Sequence, residues 1–460
     1  MAGCYDNQIV KTPNIDSLAE NGTVFKYAYT PNPICVPARA SFATGRYGSN
    51  IGCIDNASPY CGQAKSFGHV LLKHGIPVTT IGKLHFRNSS DDTGFPDQRI
   101  PLHVRDGVGD LYGTIRRKDV IKPIVRNVVT NAKCGESSYS NYDRKVTEET
   151  LKYLDDVANE TKPWFLYVGY TFPHFPYTCP EETWGLYDEN ILPFPISIKK
   201  GERCEHESCQ DIRRFFGLEK EFSDEEVMRA VHAYYGMCTF LDHQIGMVLD
   251  RLHSTGLDKN TLIIYTSDHG EMLGNHGLWF KNCMFEESVG VPMIIKGPGI
   301  PVSVNETIVS LLDIYPTLLD GFGIELSDEE KSLPGKSILP IAEGLKYEPR
   351  LAISEFHANA SITGGFMLRK GNFKLIYYVG YKPQLFNLNK DPHELVDISE
   401  NPAYAYTLAE MIEELRRIMN PEAVNAKVKQ QQMDRLNDHG GIAAILNGFD
   451  PIIFSPPPKV

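Results

Sequence analysis

Alternation between apolar runs and amphipathic patterns restricts the fold of this chain more than any other feature. Apolar runs of strand length span residues 76–81, 164–170, 261–266 and 291–295. Patterns with helical spacing occupy residues 67–73, 146–159, 223–252 and 309–319. Strands that alternate with helices indicate a mostly parallel sheet that is covered on both faces. We therefore predict an α/β fold in which a mostly parallel mixed sheet is sandwiched by helices.

The pattern changes near Gly344. Short runs at residues 366–369, 373–378 and 384–388 are separated by turn residues, which predicts a small antiparallel sheet. A helix pattern follows at residues 403–419, and Ser455-Pro456-Pro457-Pro458 forms an extended tail that we expect to reach a neighbouring subunit of a homo-oligomer. The sequence thus predicts a large domain at residues 1–344 and a smaller C-terminal α+β subdomain at residues 345–460.

Polar side chains follow three of the predicted strands. Lys83 and His85 come after the first, His174 after the second, and Asp268 with His269 after the third. Each signal is ambiguous alone, because a histidine near a strand end is more often structural and Asp268 can equally cap the following turn. The carboxyl ends of parallel strands meet at one edge of a sheet, so we expect these side chains to converge there. The Asp-His pair can then supply half of a divalent-metal site.

The overall charge directs attention to a local anion site. The chain has 460 residues and a net charge of -12, which disfavours nucleic acid or an anionic membrane as a partner. Any anion must therefore bind in a local cationic pocket. We expect Arg39 and Lys281 to join the strand-end cations in forming it.

The cysteines and the termini indicate the cellular setting. None of the ten cysteines forms a zinc-type pair, and Cys204 with Cys209 can be either a disulfide or, as we favour, two free thiols. No apolar run reaches the length of a membrane span, and residues 1–16 lack the features of a signal peptide. A cytoplasmic protein is expected from the sequence as it stands, although a longer N-terminus could carry a signal.

Cys35 lies in an unusual run, Pro33 to Arg46, with the sequence PICVPARASFATGR. A buried core thiol does not account for Pro37 and Arg39 beside it. A protein-tyrosine-phosphatase thiolate is excluded, because that chemistry needs an arginine six residues after the cysteine and Ser41 stands there.

The pattern Cys35-x-Pro37-x-Arg39, continued by ASFATGR, resembles the signature of the sulfatases in the alkaline phosphatase superfamily, whose cysteine is oxidised to formylglycine. The resemblance extends to other segments across nearly the whole chain, namely residues 11–16 (KTPNID), 82–85 (GKLH), 267–270 (SDHG), Lys281, 383–388 (PQLFNL) and Asp391-Pro392.

The resemblance implies a catalytic role for each matching residue. Cys35 would become an aldehyde hydrate that attacks sulfur, and Arg39 would stabilise its anion. Lys83, Lys281 and His174 would hold the sulfate and leaving oxygens, with His174 or Lys281 as general acid. His85 would be the base that restores the aldehyde.

The resemblance also implies a metal and partners. Asp268, His269 and Cys35 would bind a divalent cation, most often Ca²⁺, and the imidazole of His269 leaves Mn²⁺ open. Asn56 stands where relatives keep a polar contact with the substrate. A small sulfated substrate is expected, together with a formylglycine-generating or anaerobic sulfatase-maturating enzyme that acts on Cys35.

Two departures keep alternatives open. The family's first strand normally carries two metal ligands just upstream of a segment like Ala2-Gly3-Cys4-Tyr5, and here the chain begins at Met1. We expect an in-frame upstream extension that encodes this strand; without it, an inactive binder of sulfated ligands is the alternative. Phosphonate and phosphate ester hydrolases share the cysteine motif but tend to replace Lys83 and His85 with hydroxyl residues, so sulfate monoesters are favoured.

Overall fold

The computed structural model describes residues 1–122, 125–345, 347–448 and 455–458. The strands, in chain order, are β1 Thr23–Tyr29, β2 Val78–Lys83, β3 Asp97–Leu102, β4 Lys133–Cys134, β5 Phe165–Gly169, β6 Thr178–Cys179, β7 Ile263–Thr266, β8 Gly290–Val291, β9 Met293–Lys296, β10 Ser303–Ser310, β11 Leu351–Phe356, β12 Gly365–Lys370, β13 Phe373–Tyr378 and β14 Gln384–Asn387.

The α-helices, in chain order, are α1 Pro13–Glu20, α2 Cys35–Thr44, α3 Gly48–Ile51, α4 Phe67–Lys73, α5 Val125–Thr130, α6 Ser138–Val157, α7 Glu181–Trp184, α8 Glu207–Phe216, α9 Asp224–Ser254, α10 Glu286–Val289, α11 Ile314–Gly321, α12 Asp328–Lys331, α13 Leu339–Ala342, α14 Ala405–Ile418, α15 Pro421–Asp438 and α16 Gly441–Asn447. Within the described part of the chain, no helix combines the length and apolarity that crossing a bilayer requires.

Two sheets form the larger part of the molecule. In the first, with the order β10-β1-β9-β7, β10 is parallel to β1, whereas β9 is antiparallel to both of its neighbours. In the second, with the order β3-β2-β5, both pairs are parallel. The predicted α/β fold, a mixed sheet flanked by helices, is confirmed. Parallel pairing dominates around β2, while β7 and β9 bring antiparallel pairs into the sheet around β1.

The C-terminal antiparallel sheet is also confirmed. It has the order β11-β12-β13-β14, and every neighbouring pair is antiparallel. Met411 and Leu415 of α14 pack against Leu368 and Leu375 of the sheet, which buries its inner face. The domain boundary at residue 344 stays a prediction.

One expectation needs correction. Residues 309 and 310 do not begin a helix, because Val309 and Ser310 pair with Ala28 and Tyr29 of β1 and end β10; the α-helix begins only at Ile314. In the proline-rich tail, the carbonyl of Ser455 accepts a hydrogen bond from the hydroxyl of Tyr139 in the same chain. Contact of this tail with a neighbouring subunit stays a prediction.

Local sequence explains how the site comes together. The long helix α9 begins with a capping box, in which Ser223 and Glu226 bond each other's backbone N–H groups. Close approach of β2 and β5 requires Gly82, since a Cβ at that position would lie 2.3 Å from the carbonyl oxygen of Gly169. The ends of β2 and β5 can therefore present their next residues side by side.

Candidate active site

Cys35 is at the centre of a cationic cluster. It is the first residue of α2 and is only 1% exposed. Its Sγ lies 3.1 Å from Nε2 of His269 and 3.8 Å from Nζ of Lys83. Burial raises the pKa of the Cys35 thiol, but Lys83, Lys281 and His269 together hold that pKa well below its usual value. The cluster thus stabilises negative charge at this position.

Arg39 connects the two sheets one turn further along α2. Its Nε donates to Oδ2 of Asp268 at 2.8 Å, and its Nη1 donates to the carbonyl of Lys83 and to the hydroxyl of Tyr167, each at 2.7 Å. Burial raises the pKa of Asp268, but the guanidinium outweighs this effect and leaves that pKa below its usual range. Arg39 therefore fixes the ends of β2, β5 and β7 relative to Cys35.

On another side of the cluster, the neutral imidazole of His174 is hydrogen-bonded to the ammonium of Lys281. Nε2 of His174 is 2.9 Å from Nζ of Lys281, while Nδ1 is 2.7 Å from the carbonyl of Phe175. Because a carbonyl can only accept, we assign the proton to Nδ1, so that Nε2 accepts from the ammonium. Burial and the charges of Lys281 and Lys83 lower the pKa of His174 to about 3.

His85 lines the cavity at the carboxyl end of β2. Its backbone has a φ of 57°, in the left-handed region that a histidine rarely adopts. Both ring nitrogens are buried and have no hydrogen-bond partner among the described residues. Burial and the neighbouring Lys83 lower the pKa of His85 to about 4. Unpartnered buried nitrogens of this kind indicate a group that expects a ligand.

The remaining predicted residues complete the arrangement. Oδ1 of Asn56 accepts from the backbone N–H of Val36 at 3.2 Å, so Asn56 supports the first turn of α2 as well as lining the cavity. The structure brings together all of the predicted site residues, which are Cys35, Arg39, Asn56, Lys83, His85, His174, Asp268, His269 and Lys281. Their individual roles stay predictions.

A divalent cation fits the residues beside Cys35. The donor atoms of Cys35, Asp268 and His269 all lie within 4.8 Å of one another. Nδ1 of His269 is 2.9 Å from the carbonyl of Gly270, which leaves Nε2 directed at Cys35. A carboxylate, an imidazole and a sulfur or oxygen at residue 35 are an acceptable donor set for a transition metal, whereas Ca²⁺ prefers six or more oxygens.

Two residues of the site were missed at the level of sequence. Asp143 of α6 is fully buried and accepts hydrogen bonds from N and Oγ1 of Thr171 and from N of Phe172, which fixes the turn that leads to His174. Burial raises the pKa of Asp143 to about 6. Tyr167 was missed because it lies within an apolar strand. An acidic residue on the apolar face of α6 could have predicted a buried carboxylate, but nothing in the sequence indicated which groups it would bind.

The site opens into one cavity of about 310 Å³. We call the cluster around Cys35, which includes Lys83, His85, His174 and Lys281, the inner end. The opposite side, which we call the outer wall, combines loop residues with the C-terminal helical segment; it consists of Tyr112, Phe216, His439, Ala444 and Ile445. The cavity is at the small end of the range of ligand pockets, and its two halves come from distant parts of the chain.

Comparison with known families agrees with this geometry. Residues 1–324 match the family model described as Sulfatase. The chain belongs to the sulfatase family. Residues 274–421 of this sulfatase also match the model of the C-terminal part of N-sulphoglucosamine sulphohydrolase. The resemblance that the Cys35 signature suggested is confirmed, and the protein is a sulfuric ester hydrolase.

Curated relatives match most of the sulfatase. Choline-sulfatase of Rhizobium meliloti (strain 1021) is 34% identical over 412 residues, which is 85% of this chain and 78% of the relative. Arylsulfatase K of Rattus norvegicus is 30% identical over 458 residues, and Arylsulfatase K of Homo sapiens is 30% identical over 455; each match covers 93% of this chain, with 77% and 81% of the relatives.

Solved structures share the fold. BT4656, in complex with its substrate D-glucosamine-2-N,6-O-disulfate, superposes with a TM-score of 0.75 and 22% identity, and the match covers 94% of this chain and 95% of that chain. The phosphonate monoester hydrolase of Agrobacterium radiobacter gives a TM-score of 0.71 and 22% identity over 93% of both chains. At this identity the likeness concerns the fold alone.

Proposed function

We propose that this sulfatase hydrolyses sulfate monoesters with a formylglycine made from Cys35, next to a divalent cation held by Asp268, His269 and the modified residue 35. The observation that carries the proposal is the set of ammonium and imidazole groups around one buried cysteine. When bound, the cation supplies Lewis acidity, and the formylglycine hydrate supplies a hydroxyl nucleophile.

The basic side chains hold and neutralise the sulfate. Lys83 and Lys281 supply positive charge where the transferring group and the leaving oxygen become more negative. The ammonium of Lys281 hydrogen-bonds Nε2 of His174, so Lys281 can deliver a proton to the departing alcohol either directly or through that nitrogen. Arg39 keeps Asp268 ionised and in place through the bond from its Nε.

His85 acts as the base. Its low pKa leaves the imidazole neutral near pH 7, and neither nitrogen is engaged by another described residue. A neutral, unpartnered imidazole at the edge of the cluster can accept the proton of the remaining hydroxyl of sulfated residue 35. The C–O bond to sulfate then breaks, inorganic sulfate leaves and the aldehyde is restored.

The modification is tested directly by mass spectrometry. A peptide that contains residue 35 should show loss of the thiol and gain of an aldehyde. Cys35→Ala should abolish sulfate release, whereas Cys238→Ala, which removes a buried thiol from α9, should retain most of it. An unmodified Cys35 in fully active protein would contradict the proposal.

Metal identity is decided by elemental analysis of the purified protein. Calcium is expected from the family resemblance, and the imidazole of His269 leaves Mn²⁺ open. Asp268→Ala should remove the bound metal, and metal retained in that variant would show that the cation binds elsewhere.

Activity and binding assays on the same protein test the two alternative functions. Faster cleavage of a phenyl phosphonate ester than of 4-nitrophenyl sulfate would favour a phosphonate hydrolase, which Lys83 and His85 argue against. Binding of sulfated ligands with no turnover of either ester would favour the inactive binder.

We also infer that a formylglycine-generating or anaerobic sulfatase-maturating enzyme modifies Cys35, and that the chain forms a homo-oligomer in the cytoplasm. Co-expression with each enzyme, light scattering and cell fractionation test these three points. The division at residue 344 is tested by limited proteolysis, which should cut between the two predicted domains.

A further inference from the structure

The outer wall consists largely of a segment that neither family model covers. The second model ends at residue 421, whereas His439, Ala444 and Ile445 of the C-terminal segment line the same cavity as Cys35. This part of the cavity therefore lies outside the segments that the two family models match. Its chemistry should reflect the alcohol that carries the sulfate.

The position of this segment is fixed relative to Cys35. Gln432 of α15 is buried, and its Nε2 donates to Oδ2 of Asp55 at 2.8 Å and to the carbonyl of His357 at 2.7 Å. Asp55 directly precedes Asn56, which supports the first turn of α2. Hydrogen bonds from a buried side-chain amide thus connect α15 to Asp55, and the next residue, Asn56, contacts the backbone of Val36 beside Cys35.

A tight turn then directs α16 toward the cavity. Gly440 and Gly441 have φ values of 88° and 83°, a conformation that only glycine adopts without strain. Ile442, Ile445 and Leu446 pack against the main hydrophobic core, which holds α16 in place. Ala443 and Ala444 are both exposed, but only Ala444 is among the residues that line the cavity.

The surfaces of the outer wall are apolar and aromatic. Ala444 and Ile445 contribute aliphatic surface, and Tyr112 and Phe216 contribute rings. One amide oxygen, Oδ1 of Asn359, is buried at the cavity without a hydrogen-bond partner among the described residues. A hydroxyl group on a bound alcohol could donate to it.

The charge of the cavity disfavours a cationic alcohol. Among the described residues that line it, Arg105, Lys122 and Lys281 are positive and Asp110 is the one carboxylate. That carboxylate is already paired with the ammonium of Lys122 at 2.6 Å. Arg105 is likewise paired with Asp106 at 3.4 Å, so Lys281 is the lining cation without a carboxylate partner among the described residues. A quaternary ammonium group would be repelled by Lys281 and would find no unpaired acid on the described lining, which opposes its attraction to the aromatic rings.

We propose that the outer wall selects small sulfate monoesters whose alcohol is about one ring in size, has an apolar face and carries no positive charge. This inference deepens the proposed function and rests on it for the position of the sulfate at the inner end. Ala444 and Ile445 contact the apolar face of the alcohol, and the volume of about 310 Å³ excludes a longer chain from the enclosed part.

Two adjacent alanines give a matched test of the wall. Ala444→Trp should lower kcat/KM for 4-nitrophenyl sulfate by about tenfold or more, because the indole fills the space of the ring. Ala443→Trp should change it less than about twofold. Inhibition by inorganic sulfate, which reaches only the inner end, should be unchanged in both. Equal effects of the two substitutions would overturn the proposal.

Charge selection is tested with an isosteric pair. 3,3-Dimethylbutyl sulfate replaces the quaternary nitrogen of choline sulfate by carbon and keeps its shape. The wild-type enzyme should cleave the uncharged ester with a kcat/KM at least about fivefold higher. A preference for choline sulfate would overturn the inference about charge.

A binding measurement separates this inference from the proposed function. If the wild-type protein cleaves no sulfate ester, the proposed function fails. The wall is still tested by calorimetric binding of 4-nitrophenyl sulfate to the Cys35→Ala protein. Adding Ala444→Trp should weaken that binding by about tenfold, and unchanged affinity would contradict the inference whatever the activity.

Discussion

The inner end of the cavity rests on strand ends and on the first turn of a helix, whereas the outer wall rests on loops and on the C-terminal segment. At the inner end, Arg39 alone joins β2, β5 and the residue that follows β7 by three hydrogen bonds. At the outer wall, Ala444 and Ile445 offer only apolar surface. The comparison teaches that the charges are held by the strand ends and α2, while the shape of the outer wall comes from loops and the C-terminal helices.

The largest expected difference in activity is between a lysine at the inner end of the cavity and a lysine nearer the outer wall. Lys281→Met should lower kcat/KM for sulfate esters by about 10³-fold, because an ammonium beside the leaving oxygen stabilises charge that grows in the transition state. Lys122→Met, which removes a cation paired with Asp110, should cost less than about tenfold. Steady-state kinetics of the two variants check this prediction, and similar losses would mean that the two halves do not differ in this way.

Paired carboxylates give a smaller contrast. Asp143→Asn should lower the free energy of unfolding by about 2 kcal/mol. Two backbone N–H groups donate to the two carboxylate oxygens, and in the variant one of them must face the NH₂ of the amide, which cannot accept. Activity should fall about tenfold, because the turn before His174 loosens. Asp434→Asn, which changes an exposed carboxylate on α15, should cost less than about 0.5 kcal/mol. Urea unfolding measures both, and an unchanged Asp143→Asn protein would contradict the positioning role.

A pH effect tests whether the imidazoles at the inner end are held neutral. The folded protein holds the pKa of His85 at about 4, whereas an unfolded histidine has a pKa of about 6.5. Between these values the unfolded chain binds more protons, so stability is full above pH 6.5 and is lost as the pH falls toward 4. His85→Gln should reduce this slope by about 1.4 kcal/mol per pH unit near pH 5.

Urea unfolding of the ligand-free protein between pH 4 and pH 7 measures that slope. His174, whose pKa is about 3, provides the parallel variant His174→Gln, and the double variant should show the sum of the two changes. Slopes that match the wild type in all variants would show that neither imidazole is held neutral by burial at the inner end.

The convergence of the inner end was predictable, because its residues stand at or shortly after the ends of apolar runs. Lys83 ends β2 and His85 follows it, while His174 lies in the turn region after β5, so strand direction places all three at one edge. The signature around Cys35 predicted that Cys35 and Arg39 belong to the same site. Tyr167 and Asp143 were missed because each acts through a tertiary contact, with Arg39 and with the turn after β5, that no local pattern encodes.

The outer wall was not predictable from the sequence. Ala444 and Ile445 read as ordinary residues of an amphipathic helix, and the contact that positions them runs from Gln432 to Asp55, across most of the chain. The start of α11 was misplaced for a related reason, since Val309 fits either a strand or a helix and pairing with β1 decided the matter.

The burial of Cys35 has a consequence for how the protein is made. A side chain that is 1% exposed, at the start of a helix whose residues are almost all buried, cannot enter the catalytic centre of a second protein. Under the proposed function, an enzyme that oxidises Cys35 would have to meet this segment as an extended peptide, during or soon after translation. Modification would then compete with folding, and a chain that folds first would keep its thiol.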